Sequence, residues 1–206
     1  MPLPEHLSDA IKYAYDERYR KEYAIVDKFN QMSKKEQQAF RKKDARDHDG
    51  MYTCEDSLIS DLDVPRCNHG LAHAIRKALM VRDVASVCCE HFYSKEDRKA
   101  FAFSEKQLCA MEVAMIFEVC GRESEVGFND DRAVYKGYHA TSCRVFDEYA
   151  KDHMADEQRD EAREALEMLY DPDAGAMTRV FEYIHEMDML RCSDADIMHP
   201  KVDRLP

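Results

Sequence analysis

Two histidines and an arginine stand at positions 69, 73 and 76, in Arg66-Cys67-Asn68-His69-Gly70-Leu71-Ala72-His73-Ala74-Ile75-Arg76. Steps of four and seven residues bring side chains onto one stripe of an α-helix, so this spacing turns two imidazoles and a guanidinium toward a common pocket. Such a stripe suits an anionic group. Imidazole exchanges a proton near neutral pH, and guanidinium matches the oxygens of a phosphate or carboxylate in pairs. Arg66 and Asn68 flank the pair, and the N–H groups of a helix start beside them would complete a phosphate cradle. One surface histidine and one satisfied core histidine would leave the same spacing.

Two further segments carry chemistry-bearing residues. Gly121-Arg122-Glu123-Ser124-Glu125-Val126-Gly127-Phe128 is a charged, glycine-bounded turn after an apolar stretch. Its carboxylates either solvate a helix end or orient an imidazole, fixing its tautomer and raising its basicity. Tyr183 to Cys192 places His185 and Arg191 on a helix whose other residues (Val180, Phe181, Ile184, Met187, Leu190) are core-forming. Burying either polar group requires a partner, whereas the edge of the helix would leave both solvated. His185-Glu186 lacks the second histidine of a zincin motif. His48-Asp49 is an HD dipeptide, and His69 and His73 would add ligands for a divalent metal, but His48 falls in a charged connector.

The elements that must position these residues read as helices. All six prolines lie at 2, 4, 65, 172, 200 and 206, so Arg66 to Asp171 is free of proline and can run in long helices. Apolar residues from Ile11 to Met32 recur at helical spacing among charges, predicting one or two amphipathic helices over Ser8 to Phe40. Arg41 to Gly50 and Asp61 to Pro65 are connectors. Asn68 is the expected N-cap of a helix over His69 to Ala85, and Ser94 and Ser104 are expected to start later ones. Gln107 to Cys120 is apolar almost all round, which marks a buried central helix ending at Gly121. Further helices are expected over Asp130 to His153, Ala155 to Tyr170 and Ala176 to Cys192. No segment alternates as a strand does. The expected fold is all-α: a compact, single-domain helical bundle, with residues 1–50 forming N-terminal amphipathic helices on a core of residues 51–206.

Composition narrows the function. The net charge of −12 argues against nonspecific binding to nucleic acid or to anionic membrane, both of which need concentrated Lys and Arg. The longest apolar runs, such as Val113 to Phe117, fall far short of the roughly 18 residues that span a bilayer. The N-terminus has neither the basic start nor the apolar stretch of a secretory signal. The eight cysteines are scattered without a CxxC pair, mostly at apolar helix positions, and read as reduced core residues, so a cytosolic-type soluble protein is expected.

The three segments, in this order, resemble the phosphodiesterase domain of the SidE family of Legionella effectors. The resemblance rests on Arg66, Asn68, His69 to His73, Arg76, Gly121 to Glu123, Glu125, His185, Asp188, Arg191 and Cys192. It implies an all-α phosphodiesterase, without metal or other cofactor, that opens the pyrophosphate of ADP-ribosylated ubiquitin. AMP is released, and the phosphoribosyl group passes to a serine or to water; related members reverse that linkage. Carried onto this chain, the resemblance makes His69 the nucleophile, His185 the general acid and base, and Glu123 the residue that orients His69. His73, Arg76 and Arg191 would hold phosphate oxygens, with Arg66, Asn68 and Glu125 shaping the pocket. The implied partners are ADP-ribosylated or phosphoribosylated ubiquitin, or another modified protein, and an AMP or ADP-ribose nucleotide. A bacterial effector of this kind would act in the host cell after translocation. Two other readings of the same residues are a non-catalytic module that binds AMP, ADP-ribose or a cyclic nucleotide, and a metal-dependent HD-type phosphohydrolase.

Overall fold

The computed structural model describes residues 3–20, 31–36, 70–92, 94–95, 97–121, 132–169, 171 and 173–191. Among them there is no strand, and the fold is all-α. No described helix is long and apolar enough to cross a membrane.

Helix α1 (Glu5–Ala14) starts after Pro4, whose fixed φ suits a helix start, and carries Glu5 in its first turn and Lys12 in its last, each complementing the helix dipole. It buries Leu7, Ala10 and Ala14, a stripe at helical spacing, and continues into a π-helical turn at Tyr15–Tyr19. That stripe packs mainly on α3 (Glu105–Phe117), the central helix.

Helix α3 follows directly from its sequence. Ser104 accepts a hydrogen bond from the Gln107 backbone while the Gln107 side chain accepts one from the Ser104 backbone, a complete capping box. All residues from Ala110 to Phe117 are buried, Glu112 included. Removing each of Met111, Val113, Met115, Ile116 and Phe117 from water contributes roughly 1.5–3 kcal/mol, which makes α3 the core of the molecule. The helix gives way to a turn ending at Gly121, the expected stop. A side chain at Gly121 would sit 2.6 Å from the backbone nitrogen of Ser142, and the Gly121 N–H donates to Ser142 Oγ at 2.8 Å. The end of α3 is thereby fixed against α4 (Arg132–His153), at a position no other residue fits.

Helix α2 (Leu71–Val87) differs from expectation at its start. Gly70 is the N-cap residue, in an extended conformation, so the first helical residue is Leu71. The expected cap Asn68 and the expected first residue His69 lie outside the described residues. Within the described residues, helical spacing relates His73 to Arg76. Ser94 starts a 3-10 turn at Asp97–Phe101 rather than an α-helix, its hydroxyl accepting from the Asp97 N–H at 3.3 Å.

Helices α4, α5 (Asp156–Glu167) and α6 (Ala176–Arg191) fall where the periodicity places them. Helix α5 buries Ala162, Ala165 and Leu166 and leaves its charges outside. Helix α6 buries Val180, Phe181, Ile184 and Asp188, and the spacing 180, 184, 188 is one stripe ending on a charge. Cys88, Cys120 and Cys143 are buried free thiols, as expected of core cysteines, whereas Cys89 and Cys109 are free thiols only partly buried. Of the other cysteines, Cys54, Cys67 and Cys192 lie outside the described residues.

Candidate active site

Three helices converge where the charged stripe of α6 meets α2 and the C-terminal end of α3. Helix α2 supplies His73, Arg76 and Lys77, three residues on one face. Helix α6 supplies His185 and Asp188, one turn apart. Glu118, the C-cap residue of α3, completes the group. His73, Lys77 and Asp188 are buried, which no polar side chain tolerates without partners.

Those partners cross between helices. Asp188 Oδ2 lies 2.6 Å from His73 Nδ1, and the same carboxylate accepts two hydrogen bonds from Arg76, Nε to Oδ1 at 2.9 Å and Nη2 to Oδ2 at 3.0 Å. One buried carboxylate thus fixes an imidazole and a guanidinium together, the second by the parallel two-point contact that suits arginine. Arg76 Nη1 has no hydrogen-bond partner among the described residues and is about a quarter exposed as a side chain. On the other side, Lys77 Nζ pairs with Glu118 Oε2, while Glu118 Oε1 lies 3.8 Å from His185 Nδ1. The His73 and His185 rings meet edge to face with centroids 5.7 Å apart, joining the two pairs into one continuous network.

The electrostatics follow from burial. Burial and the neighbouring Lys77 ammonium push the His73 pKa down to about 3, overriding the attraction of Asp188. His73 is therefore neutral at physiological pH, with Nδ1–H donating to Asp188 and Nε2 carrying the lone pair. Burial alone would raise the pKa of Glu118, but Lys77, His185 and His73 together hold it well below the usual carboxylate range. Burial likewise works against an ionised Asp188, and its hydrogen bonds with His73 and Arg76 keep it ionised to strongly acid pH. The site thus holds two permanent carboxylates, each beside a permanent cation.

A consequence for stability follows. The folded chain keeps His73 neutral down to about pH 3, whereas the unfolded chain protonates it near 6.5. Its contribution is complete above pH 6.5 and is lost at up to about 1.4 kcal/mol per pH unit as the pH falls toward 3. Urea denaturation at pH 7 and pH 5 is expected to show this loss. His73→Asn, which keeps a donor for Asp188 without the titration, is expected to flatten it. Equal slopes in both proteins would show that His73 is not held neutral.

Of the residues expected at the site, the structure brings together His73, Arg76 and His185. Arg191 closes α6, and its side chain lies outside the described part of the structure. Arg66, Asn68, His69, Glu123 and Glu125 also lie outside the described residues. Sequence reasoning missed Lys77 and Glu118, and it gave Asp188 no role. A family model, that of the SidE phosphodiesterase (PDE) domain, matches residues 28–205. This chain belongs to that family. The match contains all three helices that carry the cluster, so the cluster lies within a phosphodiesterase domain. Neither the curated proteins nor the solved structures yield a match to the chain.

His73, Glu118 and His185 each offer one ligand atom, all within 4.8 Å of one another, a set that would suit a single metal ion. Lys77 opposes that use, because its ammonium already occupies the Glu118 carboxylate.

Proposed function

We propose that this phosphodiesterase domain opens the pyrophosphate of an ADP-ribosylated protein, ubiquitin or a similar one, through a phosphohistidine and without a metal. The observation that supports this best is His185 standing beside ionised Glu118, on a network that also holds the Arg76 guanidinium in place. A phosphoryl transfer that proceeds by positioning and charge stabilisation needs those parts: a proton carrier, a cation for the phosphate oxygens and a rigid support.

In this reading the lone-pair nitrogen of neutral His69 attacks the ribose-side phosphorus. The bond from that phosphorus to the AMP oxygen breaks, and His185 protonates the departing oxygen. Water or a serine hydroxyl then attacks the phosphohistidine, gives its proton to His185 and restores His69. Arg76, through Nη1, and Arg191 hold the phosphate oxygens, and Arg66 and Asn68 shape the pocket. His73, buried and neutral, is better suited to positioning through Asp188 than to gripping phosphate by charge. We assign Glu118 the carboxylate role toward His185, leaving Glu123 and Glu125 for the His69 side. Action inside a host cell, as a translocated effector, accords with the family and belongs to the same proposal.

The test is turnover. Incubation with ADP-ribosylated ubiquitin is expected to release AMP and leave phosphoribosyl-ubiquitin or its serine conjugate, at a rate unchanged by a strong chelator. Loss of activity on chelation, restored by a divalent ion, would favour the metal reading instead. Stoichiometric binding of AMP or ADP-ribose with no product would favour a non-catalytic nucleotide-binding module.

A further inference from the structure

A cavity of about 610 Å³ opens away from the proposed active site, between the start of α1, the first half of α3 and the junction of α4 with α5. Glu105 lines it and Glu118 caps the opposite end of α3, so roughly 20 Å of helix separates the two places. Ala110, Val113 and Met154 give the cavity an apolar floor, and Asp9, Tyr149 and His153 bring polar groups to it. We infer that this cavity binds a primary ammonium carried on an apolar stem, either a lysine side chain or a free alkylamine, with its head between Asp9, Tyr149 and His153.

Tyr149 points to a ligand. The residue is only 3% exposed and lines the cavity, yet its hydroxyl makes no hydrogen bond among the described residues. A hydroxyl buried in this way calls for a partner from outside the fold. Burial, and then the Asp9 carboxylate, push the Tyr149 pKa up to about 12, so the hydroxyl stays neutral within the field of that carboxylate. His153 adds a further acceptor. Its ring stacks on Tyr149 with centroids 4.1 Å apart, and its Nδ1–H donates to the Tyr149 carbonyl at 2.7 Å, so Nε2 of the neutral ring keeps its lone pair. An ammonium carries three N–H donors, and a carboxylate, a hydroxyl oxygen and an imidazole lone pair are there to receive them.

Charge selects a cation. Arg82 makes a two-point contact with Glu105 at 2.7 and 2.8 Å and donates to Glu112 at 2.6 Å, and His6 also meets Glu112 at 2.6 Å, so those carboxylates are already engaged. Glu5 and Asp9, both exposed, form no ion pair among the described residues, and Lys106 is the cation set against them among the described lining residues. Two carboxylates against one ammonium leave a single negative charge, which a monocation neutralises. The charge that reaches Tyr149 is that of Asp9, which places the head at that end of the cavity. Size and lining select the stem. The volume is that of a small-ligand site, about 300 to 1,000 Å³, and each methylene laid on the apolar floor raises affinity about fourfold.

Titration of the ¹⁵N-labelled full chain with hexylammonium at low ionic strength reads this directly and does not depend on turnover. Saturable amide shifts are expected around Asp9, Val113, Tyr149 and His153, with hexanol and ethylammonium each binding at least about 10-fold more weakly, for want of the charge or of the stem. Asp9→Asn is expected to weaken hexylammonium about 10-fold or more and Tyr149→Phe about 5-fold, the values of a charged and a neutral hydrogen bond. Each variant is first checked for native helix content, and Glu148→Gln, an exposed acid beside Tyr149 that does not line the cavity, is expected to bind as the native chain does. A lysine peptide blocked at both ends, titrated beside 1,5-diaminopentane, separates a protein side chain from a free amine by which binds more tightly. No saturable shift at the cavity, hexanol binding as well as hexylammonium, or native affinity in both folded variants would overturn the assignment.

Discussion

His69→Ala is expected to abolish AMP release, and His185→Ala to slow it by about 10²- to 10⁴-fold, the usual value of a positioned proton donor. The two losses differ in kind. Without His69 there is no nitrogen to take the phosphoribosyl group, so no substrate restores the first step. Without His185 the AMP oxygen must leave unprotonated, which is costly for a poor leaving group and cheap for a good one. A substrate in which an acidic phenol replaces AMP is therefore expected to recover most of the first-step rate in His185→Ala and none in His69→Ala. The paired roles also require one imidazole neutral and one protonated at the start of the cycle, so kcat/KM in the native protein is expected to be bell-shaped between about pH 5 and 9. His185→Ala should lose the alkaline limb, where the acid form of the donor runs out. A native profile flat over that range, or equal rescue of both variants by the phenol substrate, would refute the division of labour.

The helices were readable because their signals are local. Ser104 and Gln107 specify a capping box by themselves, the unbroken apolar run to Phe117 specifies burial, and Gly121 marks the place where two backbones meet. The site was readable only in part. His73 and Arg76 announce themselves by spacing, and His185 by its presence on a core-forming helix. Glu118 does not, because a carboxylate at the end of a helix reads the same whether water or a buried lysine receives it. The available clue was Lys77, four residues beyond His73 on the same stripe and followed by apolar residues, since a lysine on a buried face requires an acid somewhere. Which acid is a long-range fact: Lys77 and Glu118 are 41 positions apart, and His73 and Asp188 are 115 apart. Gly70 limits the reading in another way, because it caps the helix in an extended conformation, so the first described helical residue is Leu71 rather than the expected His69.

That cross-helix pairing leads to the other large effect, at Glu118. Lys77 is fully buried, and its ammonium is tolerated there because Glu118 is ionised beside it. Glu118→Gln keeps the shape and removes the charge, so it is expected to cost about 3–5 kcal/mol, the range for leaving one member of a buried pair uncompensated. It should also lower kcat by roughly 10²-fold or more, because the carboxylate that orients His185 and stabilises its protonated form is gone. A single variant cannot separate these losses, but a pair can. Replacing both partners, Lys77→Met with Glu118→Gln, removes the buried charge along with its counter-charge and is expected to recover most of the stability, since apolar substitution of a whole buried pair is often neutral. It should recover none of the activity. Glu118→Asp supplies the converse, keeping the charge for Lys77 but withdrawing it from His185, with stability largely retained and kcat reduced. If the double variant regained native turnover along with native stability, Glu118 would be part of the scaffold alone, and the carboxylate acting on the imidazoles would have to be sought at Glu123 or Glu125.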